Sequence, residues 1–465
     1  MTSETHRLHV AAAVAHAVRA LADLAVPLLF GLFAGSRQSS FGAILFGIAG
    51  VGAAAAIGIA RWRTTTYRVT DRALHFRSGV FSPDETVVPI DRVQAVDTIA
   101  GPIQRLFGVT GLQVQTSGGG DKAEVILTSL SGAGARELRA ALGHADQIDD
   151  TVNRRRLTMG GMLITALTAP QLGVVLPVLG GLFGLLQNGL MGESETFVRS
   201  VNSVHEVVLI ALALLVAAWA LSFLGSVIAF SGFEIQRSDG RLRIGRGLLQ
   251  RRAVSVPAAR VDGVQIVESL LRRPFGLVTL RLEVTSLGGR ETAERTLFPL
   301  LPRAEVEPFL ATFLPELAGT LALPQRPPAR ARRRYLTRPL LAAVAASAVL
   351  VAIVPAAWPA VPVLVVIAVA IGLDGFSAAG LHVEPAGTRV VLRARHRAAR
   401  VTLVARRRRL QQLGVSRSIL QRRAGLATVS VDVARGTRLA VRHVDLPLTE
   451  EFLSSLDARG WRAGA

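Results

Sequence analysis

The chain has 465 residues, half of them hydrophobic, with 53 basic and 33 acidic side chains and a formal charge of +20. A mean hydropathy of +0.41 with only 18% charged residues excludes most soluble folds and points to membrane-embedded segments. The absence of cysteine excludes disulfide frameworks, thiolate nucleophiles and cysteine-bound metal centres.

A bilayer core takes around 20 apolar residues in a helix, and runs of that length come in pairs. The first pair covers 10–34 and 41–60, the second 159–186 and 204–230, and the third 340–357 and 360–380, with Pro355 and Pro359 breaking the chain between its limbs. The start of the chain is too long an apolar run for a cleaved leader, and a second span follows at once. Arg61 and Arg63, residues 154–156 and the arginines of 330–338 flank the outer ends of the pairs. The positive-inside rule therefore places both termini and all long polar segments in the cytoplasm of a bacterial plasma membrane protein. The expected division is hairpin 1 at 1–63, a polar domain at 64–145, hairpin 2 at 154–231, a second domain at 232–318, a Pro/Arg-rich linker at 319–338, hairpin 3 at 339–380 and a third domain at 381–465.

The polar segments repeat. Arg92, Arg260 and Arg409 each precede a glycine by sixteen residues, namely Gly108, Gly276 and Gly425. Arg105, Arg273 and Arg422 stand three before those glycines, and Val96, Val264 and Leu413 stand four after the first arginines. Strand-like alternation follows each glycine, as in 112–115, 280–283 and 429–432, and shorter strand-like runs open each segment at 67–70, 233–236 and 381–384. Each segment closes in a helical pattern: from Ser131, from Pro302 in a first-turn position, and from Thr449 as an N-cap.

The stretches 267–277 and 418–426, with 104–108 as a more divergent copy, resemble the signature of YdbS-like bacterial PH (pleckstrin-homology-like) domain membrane proteins in a three-copy form. The resemblance covers essentially the whole chain. It implies an α+β membrane protein: six transmembrane helices in three hairpins plus three PH-like domains, each a bent antiparallel sheet closed by a C-terminal helix.

The repeated arginines and glycines suit a fold determinant, and Arg105, Arg272, Arg273, Arg422 and Arg423 also suit anion or headgroup binding, since a guanidinium can hold a phosphate bidentately. Arginine runs at 251–252, 330–334 and 406–409 serve topology, contact with an anionic leaflet, or both. Nucleic acid is not an expected partner, because aromatics are only 5% of the chain. Lys122 is the sole lysine, so the choice of arginine itself carries little information.

Within the spans, Arg19 and Asp23 lie one helical turn apart and suit mutual neutralisation, while Asp374 marks either an interface or an ion path. Gly31 with Gly35, and Gly180 with Gly184, have close-packing spacing. His6 and His9 share a helical face without a third ligand, and the tract 117–121 reads as a hairpin loop rather than a phosphate cradle. No catalytic constellation, metal set or cofactor motif is expected. Two function classes stand: a non-enzymatic scaffold whose domains engage the membrane surface, lipid headgroups, a second copy or another membrane protein; and a transporter or envelope-stress or toxin-resistance factor with the helical bundle as the active part.

Overall fold

The computed structural model describes residues 5–24, 40–80, 82–116, 125–143, 153–168, 204–238, 240–284, 295–319, 325–353, 358–383, 389–396, 398–434 and 437–457. The chain divides into two compact units, Met1–Val256 and Pro257–Ala465, so the division falls inside the second polar repeat.

Unit 1 opens with β1 (His6–Arg7), α1 (Ala11–Asp23) and α2 (Ser40–Thr64), followed by β2 (Thr66–Val69), β3 (Ala73–Ser78) and β4 (Asp84–Pro89). A 3₁₀ turn over Ile90–Arg92 leads to β5 (Val93–Ala100), the short α3 (Pro102–Leu106), β6 (Val109–Thr116), β7 (Val125–Ser131) and α4 (Gly132–Ala141). The second repeat begins with β8 (Asn153–Arg156), α5 (Met159–Leu167), α6 (Val204–Phe230), β9 (Glu234–Ser238), β10 (Arg241–Arg246) and β11 (Arg251–Pro257). Unit 2 continues it with a 3₁₀ turn over Ala258–Arg260, β12 (Gly263–Ser269), β13 (Leu277–Glu283), β14 (Thr296–Pro302) and α7 (Val306–Phe313). The third repeat comprises α8 (Arg332–Ile353), α9 (Ala360–Ala378), β15 (Gly380–Val383), β16 (Arg389–His396), β17 (Ala399–Arg406), a 3₁₀ turn over Arg407–Arg409, β18 (Gln412–Ser416), α10 (Ile419–Arg423), β19 (Leu426–Ala434), β20 (Thr437–Asp445) and α11 (Leu446–Asp457).

Two pairing rules recur. The extended segment before each hairpin pairs with the strand after it: His6 lies opposite Tyr67, Arg155 lies opposite Ile235, and Gln325 and Leu381 exchange hydrogen bonds of 3.0 and 3.1 Å. The strand after each of the first two 3₁₀ turns pairs with the strand that leads into the 3₁₀ turn of the following repeat, β5 with β11 and β12 with β17. Unit 1 therefore holds a seven-stranded sheet ordered β7-β6-β5-β11-β10-β9-β8, and unit 2 a six-stranded sheet ordered β14-β13-β12-β17-β16-β15. A four-stranded sheet, β1-β2-β3-β4, and a three-stranded one, β18-β19-β20, complete the first and third repeats.

Alternation buries one face of each strand. In the first repeat Leu74 and Val88 meet Val96, Leu112, Val114 and Leu127 from the facing sheet, with Leu138 of α4 closing the core. The third repeat is built alike, from Leu381, Val390, Leu392, Leu403, Val429, Val431 and Phe452. Caps fix where the helices start. The Ser131 side chain accepts from Gly134 N–H at 3.1 Å, and Ser418 with Gln421 forms a capping box. Thr449, expected to cap the last helix, lies inside α11 instead and donates to the Asp445 carbonyl at 2.8 Å. The helix begins three residues earlier, where β20 ends and Pro447 fits the first turn.

Among the described residues three helices are long and apolar enough to cross a membrane: Leu212–Phe230, Ala329–Ala352 and Ala360–Ala378. The six expected spans are thus seen as three. The limb at 10–34 is described only to Leu24 and that at 159–186 only to Thr168, while the limb at 41–60 lies in α2, whose first side chains fall outside the description. Hairpin 3 also starts earlier than expected, because α8 takes in Arg332 to Arg334 from the stretch read as linker. Gly31, Gly35, Gly180 and Gly184 lie outside the described residues, and among the described ones two other glycines sit at close helix contacts. A Cβ on Gly58 of α2 would stand 2.6 Å from the Ala13 carbonyl oxygen of α1, and one on Gly372 of α9 would stand 2.8 Å from Leu336 of α8.

Candidate functional site

Every repeat carries the same turn. Gly108, Gly276 and Gly425 all adopt left-handed backbone, with φ of 64°, 62° and 62°. Their N–H groups donate to the carbonyls of Arg105, Arg273 and Arg422 at 3.2, 3.1 and 3.2 Å. A residue with a Cβ pays about 1–2 kcal/mol for that conformation, so the glycine is there for the backbone. The more distant arginines, Arg92, Arg260 and Arg409, each close a 3₁₀ turn. The repeated spacing is accordingly a property of the fold, and only the side chains are free to differ between copies.

They do differ. Arg105 Nη1 donates to the Leu248 carbonyl at 2.5 Å, Arg273 pairs with Asp374, and Arg422 and Arg423 are exposed on α10. Arg272 is 5% exposed and donates to Thr279 Oγ1 and to the Pro299 carbonyl, the latter at 2.8 Å. Burial, aided by the charge of Arg281, lowers its pKa to about 10. Its guanidinium therefore sits in the domain interior. Exposed apolar side chains flank these turns: Leu106 and Phe107 in the first repeat, Leu270, Leu271 and Phe275 in the second, Ile419 and Leu420 in the third.

In unit 1 a groove of about 690 Å³ lies over β8 to β11 and the end of β5. It adjoins the last turn of α6, since Gly247 N–H donates to Ser231 O at 2.7 Å and Leu248 N–H to Ile228 O at 2.9 Å. Arg105, Arg154, Arg156, Arg243, Arg246, Arg251 and Arg252 line it, and Glu234 is the one carboxylate among its described lining residues. Arg154 and Arg156 both donate to Glu234, at 2.9 and 2.8 Å to Oε2. Burial works against the Glu234 carboxylate, yet the hydrogen bonds from Arg154, Arg156 and Gln236 outweigh it and hold the pKa at about 2. One carboxylate leaves the groove strongly positive.

In unit 2 the corresponding arginines surround two acids. Asp374, near the end of α9, pairs with Arg273 and accepts from Arg400 at 2.9 and 2.5 Å, with Arg395 at 3.7 Å. Glu268 on β12 pairs with Arg303 and lies 3.6 Å from Arg393. Burial and the charges of Arg400 and Arg326 lower the pKa of Arg393, partly offset by Asp374. Beside this cluster a second groove of about 460 Å³ is lined by Arg334, Arg338, Arg395, Arg438 and Arg442 together with His396 and His443. Its described lining includes no acidic residue. The His443 imidazole is pushed down to about 4 by burial and by Arg334, Arg338 and Arg442, so it is neutral there at pH 7.

Of the intramembrane candidates, Arg19 and Asp23 are both exposed on α1, and among the described residues no ion pair joins them. Asp374 is not a lone carboxylate but the centre of an arginine cluster. His6 stacks on Tyr67 at 5.6 Å and His9 Nδ1 accepts from Ala11 N–H at 3.2 Å, so the two histidines serve the start of the first repeat. Sequence reasoning missed Arg395, Arg400, Glu234 and Glu268 as site residues. The arginine-dense stretch 393–409 was the available signal for the first two; the acids gave none, because their partners are remote in sequence.

Three copies of a run of antiparallel strands ending in a helix, each preceded by apolar helices, define a repeat-built membrane protein. The chain belongs to the bacterial PH domain family, which matches residues 17–146, 177–316 and 336–460. It is 26% identical over 478 residues, covering 94% of each chain, to the "UPF0699 transmembrane protein YdbT" of Bacillus subtilis (strain 168). The expected likeness to YdbS-like proteins thus broadens to the bacterial PH domain family. No solved structure matches.

Proposed function

We propose that this is a non-enzymatic, multi-pass protein of the bacterial plasma membrane, whose repeats lie on the cytoplasmic leaflet and hold anionic lipid headgroups in arginine-lined grooves as part of a scaffold. The observation that carries the reading is the groove beside α6, where seven arginines meet one carboxylate at the end of an apolar helix. Each arginine near an anionic surface contributes on the order of 1 kcal/mol of attraction. The exposed leucines, isoleucine and phenylalanines of the repeated turns suit contact with the acyl boundary.

Pairing at the base of each hairpin supports one side for all three domains, since a chain that leaves beside the strand by which it arrived crosses an even number of times. Six spans in three hairpins satisfy this, and the flanking arginines favour the cytoplasm. The transporter alternative draws less support, because Asp374, its best intramembrane carboxylate, is already engaged by Arg273 and Arg400.

The test is hydrogen exchange of the full chain in nanodiscs made with neutral lipid alone or with added anionic lipid. Segments 101–109 and 246–254 are expected to exchange several-fold more slowly in anionic discs, with the effect removed by salt or by Arg251→Glu. Equal exchange in both discs would overturn the reading.

A further inference from the structure

Among the described residues, two strands form sheet edges at the positions where neighbouring repeats are joined elsewhere in the chain. β5 is covered by β11 and β12 by β17, but β18 is the edge of its three-stranded sheet and β4 the edge of its four-stranded sheet. The equivalent side chains register the difference. Ile266 on β12, opposite Thr402, is 1% exposed, whereas Val415, which occupies its place on β18, is 40% exposed. Val404 on β17 is 0% exposed, whereas Val87, its counterpart on β4, is 48% exposed. The two edges are also complementary in charge, because β4 starts with exposed Asp84 and Glu85 and exposed Arg417 follows β18.

We propose that a second copy of this chain supplies the missing neighbour: β18 of one copy pairs antiparallel with β4 of another, in the register that β12 and β17 use. Carrying over Gly263 opposite Ala405 through Val267 opposite Val401 sets Gln412 opposite Val88, Leu413 opposite Val87, Val415 opposite Glu85 and Ser416 opposite Asp84. Arg417 then lies beside Asp84. The joint repeats between copies the pairing that already links repeats within one chain, and it covers two exposed valines and two rows of edge N–H and C=O groups. It is head-to-tail, so each joint leaves one β4 and one β18 open and the assembly extends. A five-residue strand is a weak joint alone, and confinement to a membrane raises the effective concentration that sustains it. The inference stands apart from the lipid reading, because it uses strand edges and neither groove.

The chain has no cysteine, which permits a direct test in native membranes. Full-length chains carrying Glu85→Cys and Val415→Cys, with different tags, are co-expressed and oxidised; directly opposed strand residues lie within disulfide reach. A mixed dimer is expected when both variants are present and not from either alone, and the double variant is expected to give a ladder of multimers. Ile126→Cys, on the exposed edge strand β7, is the partner control for Val415→Cys. Mixed dimers no more abundant than with that control, or a double variant that closes only within its own chain, would overturn the proposal.

Discussion

At the scale of single residues, the repeated positions divide into those that set backbone and those that set chemistry. Gly276 has a left-handed φ of 62° and open space where a Cβ would go, so substitution there tests conformation alone. Gly276→Ala is expected to destabilise the full chain by about 1 kcal/mol, and Gly276→Asn by less, because asparagine tolerates that region better. Thermal unfolding in detergent measures both, and an alanine variant as stable as the parent would remove the backbone account. The glycine, its spacing and its role as a conformational device were legible in the sequence, because the conformation is a local demand. The fates of Arg272 and Arg273 were not. Adjacent in sequence, one turns into the domain toward Thr279 and Pro299 and the other out toward Asp374, a difference set by the rotation of one turn and by an acid about a hundred residues away.

At the scale of elements, strands and helices were legible where periodicity was strong, as at β6, β13 and β19. Their partners were not, since alternation tells which face of a strand is buried but not which strand lies alongside. The α8–α9 contact shows the same limit: glycine spacing drew no notice in this pair of helices, yet Gly372 packs against Leu336 and the Tyr335 carbonyl. Those neighbours are partly backbone and cannot swing aside. Gly372→Leu is therefore expected to push the two helices apart and lower stability by roughly 1–3 kcal/mol. Gly225→Leu in α6, where a Cβ meets nothing within 4 Å, is expected to leave stability unchanged. Paired melting curves of the two variants in detergent check this, and equal losses would dismiss the packing role.

At the scale of the whole molecule, repeats matched by sequence are not the units that share sheets. The second copy gives its early strands to the sheet of the first and its later strands to the sheet of the third. Stability then resides largely in the joints between neighbours, as in other repeat arrays. A chain ended at residue 318 keeps two whole copies by sequence yet strips β17 from β12 and bares Ile266. It is expected to self-associate, read by light scattering in detergent, while a monodisperse shortened chain of unchanged melting temperature would show that the joint contributes nothing.

The hydrogen bonds that close the base of each helical hairpin have a further consequence for how such chains change length over generations. A loop whose two feet are stitched together can be added or removed as a cassette, with the strands on either side left in register. Gene duplication can thus lengthen the array by whole copies without any compensating change elsewhere.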